Sequence, residues 1–279
     1  MKTAIGILAL IATIMAAASC DEAKRTKRKQ QKTTHARQEQ VEQQPERPLI
    51  HFSLDTLTDQ AEVDAFKARY TPEQQRVILQ LNRYSSEKLR KGIVLSIPDT
   101  IFGSFREYTT FPEALSFADT VPKLILVSLR IQSFALYETG KLIRTGPVSS
   151  GKKAAPTPPG RYHTNWKSKL KTSTIDDQWI MPWYFNIENK QGIAFHQYDL
   201  PGYAASHACI RLEEEDAKWI YSWADQWQLD SNTIVKNGTP VIVFGTYDFE
   251  GTQPWRLLPE NPRIMELTEE ELGQLTMEN

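Results

Sequence analysis

His196-Gln-Tyr-Asp-Leu-Pro-Gly-Tyr-Ala-Ala-Ser-His207-Ala-Cys209-Ile-Arg211-Leu212 holds one of the chain's two cysteines and two of its five histidines. A cysteine attacks as the thiolate, so it becomes a nucleophile only beside a base. His207 lies two residues before Cys209, and in an extended segment that spacing puts both side chains on one side. His196 can fold back on the same sulfur through a strand-loop-strand path. For an isolated Cys/His pair the commoner meaning is a buried structural cysteine with incidental histidines, so the flanking sequence has to decide.

Upstream, Gly192-Ile-Ala-Phe195 is apolar and predicts a strand that delivers His196. Residues 124–129 form a run that is apolar except at Ser128, the pattern of a buried strand. Residues 132–138 and 141–149 flank Thr139-Gly140, a two-residue loop that predicts a β-hairpin. Ala155-Pro-Thr157-Pro-Pro-Gly160-Arg-Tyr162 then turns into a further strand. The aromatic stretch Trp179-Ile-Met-Pro-Trp183-Tyr184-Phe185 suits either a groove wall or a core. Downstream, Glu213-Glu-Glu-Asp216 places carboxylates where a helix N-terminus favours them. Trp219, Trp223 and Trp227 recur every four residues beside Ile220, which predicts a face packed on a sheet. Asn237-Gly238 leads into 241–247, read as a last buried strand that closes the sheet.

Taken in order, the hairpin 134–152, the Thr-Pro-Pro-Gly turn and Ser206-His207-Ala208-Cys209-Ile210-Arg211 resemble the L,D-transpeptidase (YkuD-like) family. The resemblance covers Lys123 to Asp248, less than half of the chain. It implies a mainly β catalytic domain, a sandwich or barrel with one helix after the cysteine motif. It also implies Cys209 as nucleophile, His196 as base oriented by the Gln197 carbonyl, and His207 as a neighbour tuning the thiolate. Arg211 would hold a substrate carboxylate, and backbone N–H groups around Ala208 and Cys209 would stabilise the oxyanion. Ser206, Gln197, Trp183 and Tyr184 complete the set expected against substrate. The implied reaction is acyl transfer through a Cys thioester on peptidoglycan stem peptides, with no cofactor and no metal. Two departures stand out. Ala208 replaces the family's glycine, and only nine residues separate His196 from Ser206.

The remaining segments frame this domain. Lys2 and a short apolar run ending Ala17-Ala18-Ser19 before Cys20 resemble a bacterial lipoprotein signal over 1–20, with Cys20 lipidated; plain secretory cleavage and a cytosolic protein with an apolar N-terminus are the alternatives. That would leave Cys209 as the lone thiol and place the protein in a bacterial cell envelope, anchored to a membrane. Residues 21–50 read as a disordered tether, and six of the nine residues 24–32 are basic. Such a tether reaches on the order of 30 Å. Residues 51–100 predict a small α+β unit. It has a helix over 61–70, a second opened by Thr71-Pro72-Glu73-Gln74, and a strand over 92–98. This order resembles a degenerate LysM glycan-binding module whose first strand, expected within 51–59, is missing. Both glycan binding and a purely structural cap remain open. Residues 101–122 read as a connector and 249–279 as an acidic tail with a short helix from Thr268.

With 279 residues, 40% apolar content and a formal charge of −1, the chain is globular and shows no footprint of a nucleic-acid binder. Three functions stay in view: cross-linking transpeptidase, L,D-carboxypeptidase, and a non-catalytic lipoprotein binding peptidoglycan stem peptides and glycan strands. A papain-like peptidase places its Cys before its His in the chain, the reverse of the order here.

Overall fold

The computed structural model describes residues 49–173 and 178–277, and residues from Ile50 onward form one unit by their contacts. The predicted signal segment, Cys20 and nearly all of the predicted tether lie outside the described residues.

The unit opens with β1 (Phe52–Leu57), α1 (Gln60–Arg69), α2 (Pro72–Leu81) and β2 (Ile93–Pro98). β1 pairs antiparallel with β2, so the first strand expected to be missing is present. Its residues, Phe-Ser-Leu-Asp-Thr-Leu, alternate only weakly, and half are exposed, which hid it in the sequence. Asp59 caps α1 by accepting from the Glu62 amide. Thr71 and Gln74 form a reciprocal capping box at α2, with Pro72 at its first position, where a missing N–H costs nothing. Asn82, fully buried, ends α2 and clasps β2. Its amide donates to the Ile78 and Ser96 carbonyls at 2.9 Å each, and its oxygen accepts from the Ser96 amide at 2.8 Å.

Two sheets follow. The first contains β3 (Lys123–Ser128), β4 (Ser133–Glu138), β5 (Lys141–Pro147), β6 (Gly160–His163) and, much later, β13 (Pro240–Phe244). Its order is β5-β4-β3-β13-β6. The last strand therefore enters the middle, parallel to β3, rather than closing an edge. The β4–β5 turn has φ +44° at Thr139 and +74° at Gly140, the doubly left-handed geometry of a type I′ hairpin. The second sheet contains β7 (Lys167–Thr172), β8 (Ile180–Glu188), β9 (Ile193–Gln197) and β10 (Ile210–Leu212), in the order β10-β9-β8-β7.

One core fills the space between the sheets, joining Ile125, Val127, Phe134 and Leu136 to Phe185, Phe195 and Ile210. A second core covers the outer face of the first sheet, where Leu124, Leu126 and Tyr137 meet Trp255, Leu258, Met265 and Leu272. Burial on both faces explains the apolar run Leu124–Val127 in β3. It also corrects the reading of 249–279 as a tail. The described part of that segment, to residue 277, folds onto the sheet and carries α4 (Glu269–Met277), the short helix expected from Thr268. The connector is likewise ordered, with two 3-10 turns and Phe111 and Leu115 buried.

α3 (Glu214–Trp223) follows β10 with three acidic residues in its first turn. Its buried face is Asp216, Ala217 and Ile220, not the tryptophans. Trp219 is 44% exposed beneath the Arg144 guanidinium, Trp223 bonds Glu138, and Trp227 lies past the helix end. The four-residue spacing overestimated a stripe that sits at the flank of the buried line. A small exposed hairpin, β11 (Gln228–Asp230) with β12 (Thr233–Lys236), precedes β13.

Candidate active site

Strand β9 brings the first histidine. Ile193 and Phe195 point into the inter-sheet core, so alternation turns His196 to the opposite face. β10 lies parallel beside it, with Arg211 opposite His196. A parallel pair needs a crossover of about a dozen residues. The loop 198–209 is that crossover, and it carries Ser206, His207, Ala208 and Cys209.

Two segments brace this loop. On one side the small α+β unit holds it. The Ser85 amide donates to the Leu200 carbonyl at 2.9 Å, the Leu200 amide donates to Ser85 Oγ at 2.8 Å, and the Gly202 amide donates to the Arg83 carbonyl at 2.8 Å. Gly202 has φ +88°, and a Cβ there would collide with the Tyr84 ring. On the other side the segment after β5 holds it. Ser206 donates to the Ser150 carbonyl and accepts from the Lys152 amide, both at 2.9 Å. Thr157 Oγ1 accepts from the Gly151 amide and donates to the Ala208 carbonyl, both at 2.8 Å. Thr157 and Lys152 were not singled out as site residues. The only signal was their position in the family-like order Gly-Lys, then Thr-Pro-Pro-Gly.

The stretch 206–209 is not extended. Ala208 has φ +72°, so the expectation that His207 and Cys209 share a side by strand alternation does not apply. An L-residue in that region costs roughly 1–2 kcal/mol relative to its ordinary backbone conformation, and glycine avoids the cost. The family-like glycine position thus has a backbone reason, and alanine here is strained. The Ser206 hydroxyl donates back to the Cys209 carbonyl, closing the tight turn 206–209.

The groove has a volume of about 350 Å³ and is lined by Cys209, His196, His207, Arg211, Ser206 and Tyr184, among others. Gln197 contributes its carbonyl, which lies 2.9 Å from His196 Nδ1. Trp183 is absent from the lining. Its ring sits against Tyr221 of α3 at 5.5 Å, with Lys218 above it. The reason is local: Trp183 has φ +55°. Across it the groove-facing residues change parity, from Tyr184 and Asn186 to Met181 and Trp179. Sequence reading gave the groove to the wrong tryptophan, because nothing in the sequence announces a left-handed residue within β8.

Electrostatically the site is quiet at neutral pH. His196 is 5% exposed, and burial takes its pKa down to about 4. The bond from Nδ1–H to the Gln197 carbonyl favours protonation and only partly offsets that burial; the Arg211 charge lowers the pKa further. Nδ1 therefore carries the proton, and Nε2 keeps its lone pair as a base. Burial raises the pKa of Cys209, against a backbone hydrogen bond at Ala194 and the Arg211 charge, which pull it down. At pH 7 the pair is a neutral thiol and a neutral imidazole. Arg211 stacks on Tyr198 at 4.5 Å. His207 Nε2 lies 2.7 Å from Lys152 Nζ, and its ring is 5.0 Å from that of Trp179.

Residues 122–243 match the family model of the YkuD L,D-transpeptidase catalytic domain. The chain is 29% identical over 128 residues to the L,D-transpeptidase YkuD of Bacillus licheniformis, covering 45% of this chain and 67% of that protein. It is 27% identical over 137 residues to L,D-transpeptidase 1 of Mycobacterium tuberculosis, covering 43% of this chain and 49% of that one. Among solved structures, an L,D-transpeptidase from Stackebrandtia nassauensis aligns with a TM-score of 0.38 and 24% identity, over 46% of this chain and 58% of that one. The chain thus spans about half to two thirds of the length of these relatives. Residues 122–243, which hold His196 and Cys209, are the part of the chain that matches the L,D-transpeptidase catalytic domain family.

Proposed function

We propose that this protein is an acyltransferase acting on peptidoglycan stem peptides, with Cys209 as nucleophile and His196 as base. The observation that carries the reading is the orientation of His196: Nδ1–H is spent on the Gln197 carbonyl, leaving Nε2 as the proton acceptor in a groove shared with Cys209. Because thiol and imidazole are both neutral at rest, proton transfer accompanies attack. Sγ–H passes its proton to Nε2 while sulfur bonds to the carbonyl carbon at the L-centre of the diamino acid. Backbone N–H groups around Ala208 and Cys209 receive the oxyanion. The C–N bond to the terminal D-alanine breaks, its nitrogen takes the proton from His196, and a thioester remains. A second stem's amine then attacks the thioester carbon; the C–S bond breaks, His196 takes the amine proton and returns it to the sulfur, and an amide cross-link and the free thiol result.

The charge of the groove supports an anionic peptide. Its described lining includes the basic residues Lys171, Lys190 and Arg211 and no carboxylate. The whole chain, by contrast, carries −1. The test is product analysis with purified tetrapeptide muropeptides. Release of D-alanine together with a cross-linked dimer establishes transpeptidation. Release with tripeptide alone makes the enzyme an L,D-carboxypeptidase. No turnover by the folded protein overturns the reading and leaves a wall-binding lipoprotein, the role for which glycan affinity of residues 51–100 and a lipid anchor at Cys20 are to be tested.

A further inference from the structure

The two histidines of the groove are held by opposite kinds of partner. His196 Nδ1 faces a carbonyl, which can only accept, so that ring presents a free lone pair at Nε2. His207 Nε2 faces the Lys152 ammonium at 2.7 Å, which can only donate, so the lone pair of this ring is taken up. The proton of His207 must then sit on Nδ1, a buried atom with no hydrogen-bond partner among the described residues. Lys152 is fixed in place for this contact. Its amide donates to the Ser206 carbonyl, and its own carbonyl accepts from the Ala155 amide, each at 2.9 Å. Gly151 before it cannot carry a Cβ without striking the backbone of 155–157, so the approach of this loop to 206–209 is built in.

We propose that Lys152 is a positioning residue that locks His207 in its Nδ1–H tautomer and so removes it from proton transfer, leaving His196 as the single base of the site. The charged groups around His207 act in the same direction. Burial lowers its pKa first, then Lys152 from the loop after β5, then Arg211 from β10. Trp179 from β8 packs on the ring and adds no charge. Without the lock, His207, which lines the same groove as Cys209, would present a free lone pair there, and the thiol proton would have two destinations. The consequence for rate rests on the acyl-transfer reading above. The tautomer itself does not.

The experiment is long-range proton–nitrogen NMR on protein labelled with 15N-histidine, run on the wild type, Lys152→Met and Lys152→Arg across pH 5 to 8. The wild type is expected to show His207 neutral and protonated at Nδ1. Lys152→Met should lose that tautomer and shift the His207 pKa up toward the ordinary histidine value of about 6.5. Lys152→Arg, also a pure donor, should restore the wild-type pattern. In turnover, Lys152→Met should add an inflection to the pH profile of kcat/KM that Lys152→Arg lacks. Protonation at Nε2 in the wild type, or an unchanged tautomer in Lys152→Met, overturns the proposal. The wild-type spectrum alone decides if the methionine variant does not fold. Absence of turnover with the predicted tautomers would count against the acyl-transfer reading and leave this one standing.

Discussion

The stretch 122–243 and the segments flanking it divide the labour unevenly. Every described residue lining the groove falls between Trp166 and Arg211, inside the matched domain. The flanks contribute none, yet the domain is not finished without them. The segment after 244 lays Trp255, Leu258, Met265 and Leu272 on the outer face of the first sheet. The segment before 122 holds the crossover loop through Arg83, Tyr84 and Ser85. Arg83 ties the three parts together. Its Nε donates to the Ile131 carbonyl at 2.9 Å, its Nη2 meets Met265 sulfur at 3.5 Å, and its guanidinium lies over Trp255 at 4.9 Å. Burial lowers its pKa to about 9, so it stays charged at pH 7. Chemistry is concentrated in a few residues of one stretch, whereas support is spread through ordinary packing on both sides of it.

That contrast breaks most directly at Trp255. Trp255→Ala should cost about 3–5 kcal/mol in urea unfolding, the price of an emptied aromatic site in a core. A loss below about 1 kcal/mol would mean the sheet does not depend on its C-terminal cover.

Glu213 joins the flank to the matched domain, accepting from Gln80 of α2 at 2.5 Å. Burial raises its pKa from 4.5 to about 7. A raised carboxyl favours the folded state while protonated, so its contribution is full below pH 4.5 and fades as pH rises through 7. Glu213→Gln does not titrate, so its stability relative to wild type should climb across that window. Parallel pH–stability curves would show that the contact does not bury the carboxyl.

Most of the site was legible because its signals are local. A strand before His196, a cysteine motif and a capped helix each fit within about ten residues, and the Thr71 capping box and Thr139-Gly140 turn formed as read. What escaped the sequence depends on long-range partners or on backbone sign. β1 is half polar and only Leu57 of its six residues is buried, so it resembled loop. The residues after 249 looked like a tail because their partner, the outer face of β3 and β4, lies more than a hundred residues earlier. Trp183 and Ala208 carry positive φ with side chains that do not advertise it.

Two smaller effects sharpen the comparison. Ser85→Ala leaves the Leu200 amide without its acceptor and should cost about 2 kcal/mol, with faster proteolysis at the crossover loop. An unchanged unfolding midpoint would remove the small unit from the support of the site. Ala208→Gly should gain about 1 kcal/mol by relieving the φ +72° strain, measured by the same unfolding curve. A loss instead would mean that the alanine methyl's packing outweighs its backbone cost.

The measurement that tests the central claim is intact-protein mass spectrometry during turnover. The protein, Cys209→Ala and His196→Gln are mixed separately with a tetrapeptide stem and quenched in acid. The account predicts that the wild type gains the mass of the stem less D-alanine, mapped to Cys209. It predicts that Cys209→Ala gains nothing and that His196→Gln acylates about 10²–10⁴-fold more slowly. An adduct on Cys209→Ala, or D-alanine release by that variant, would contradict it.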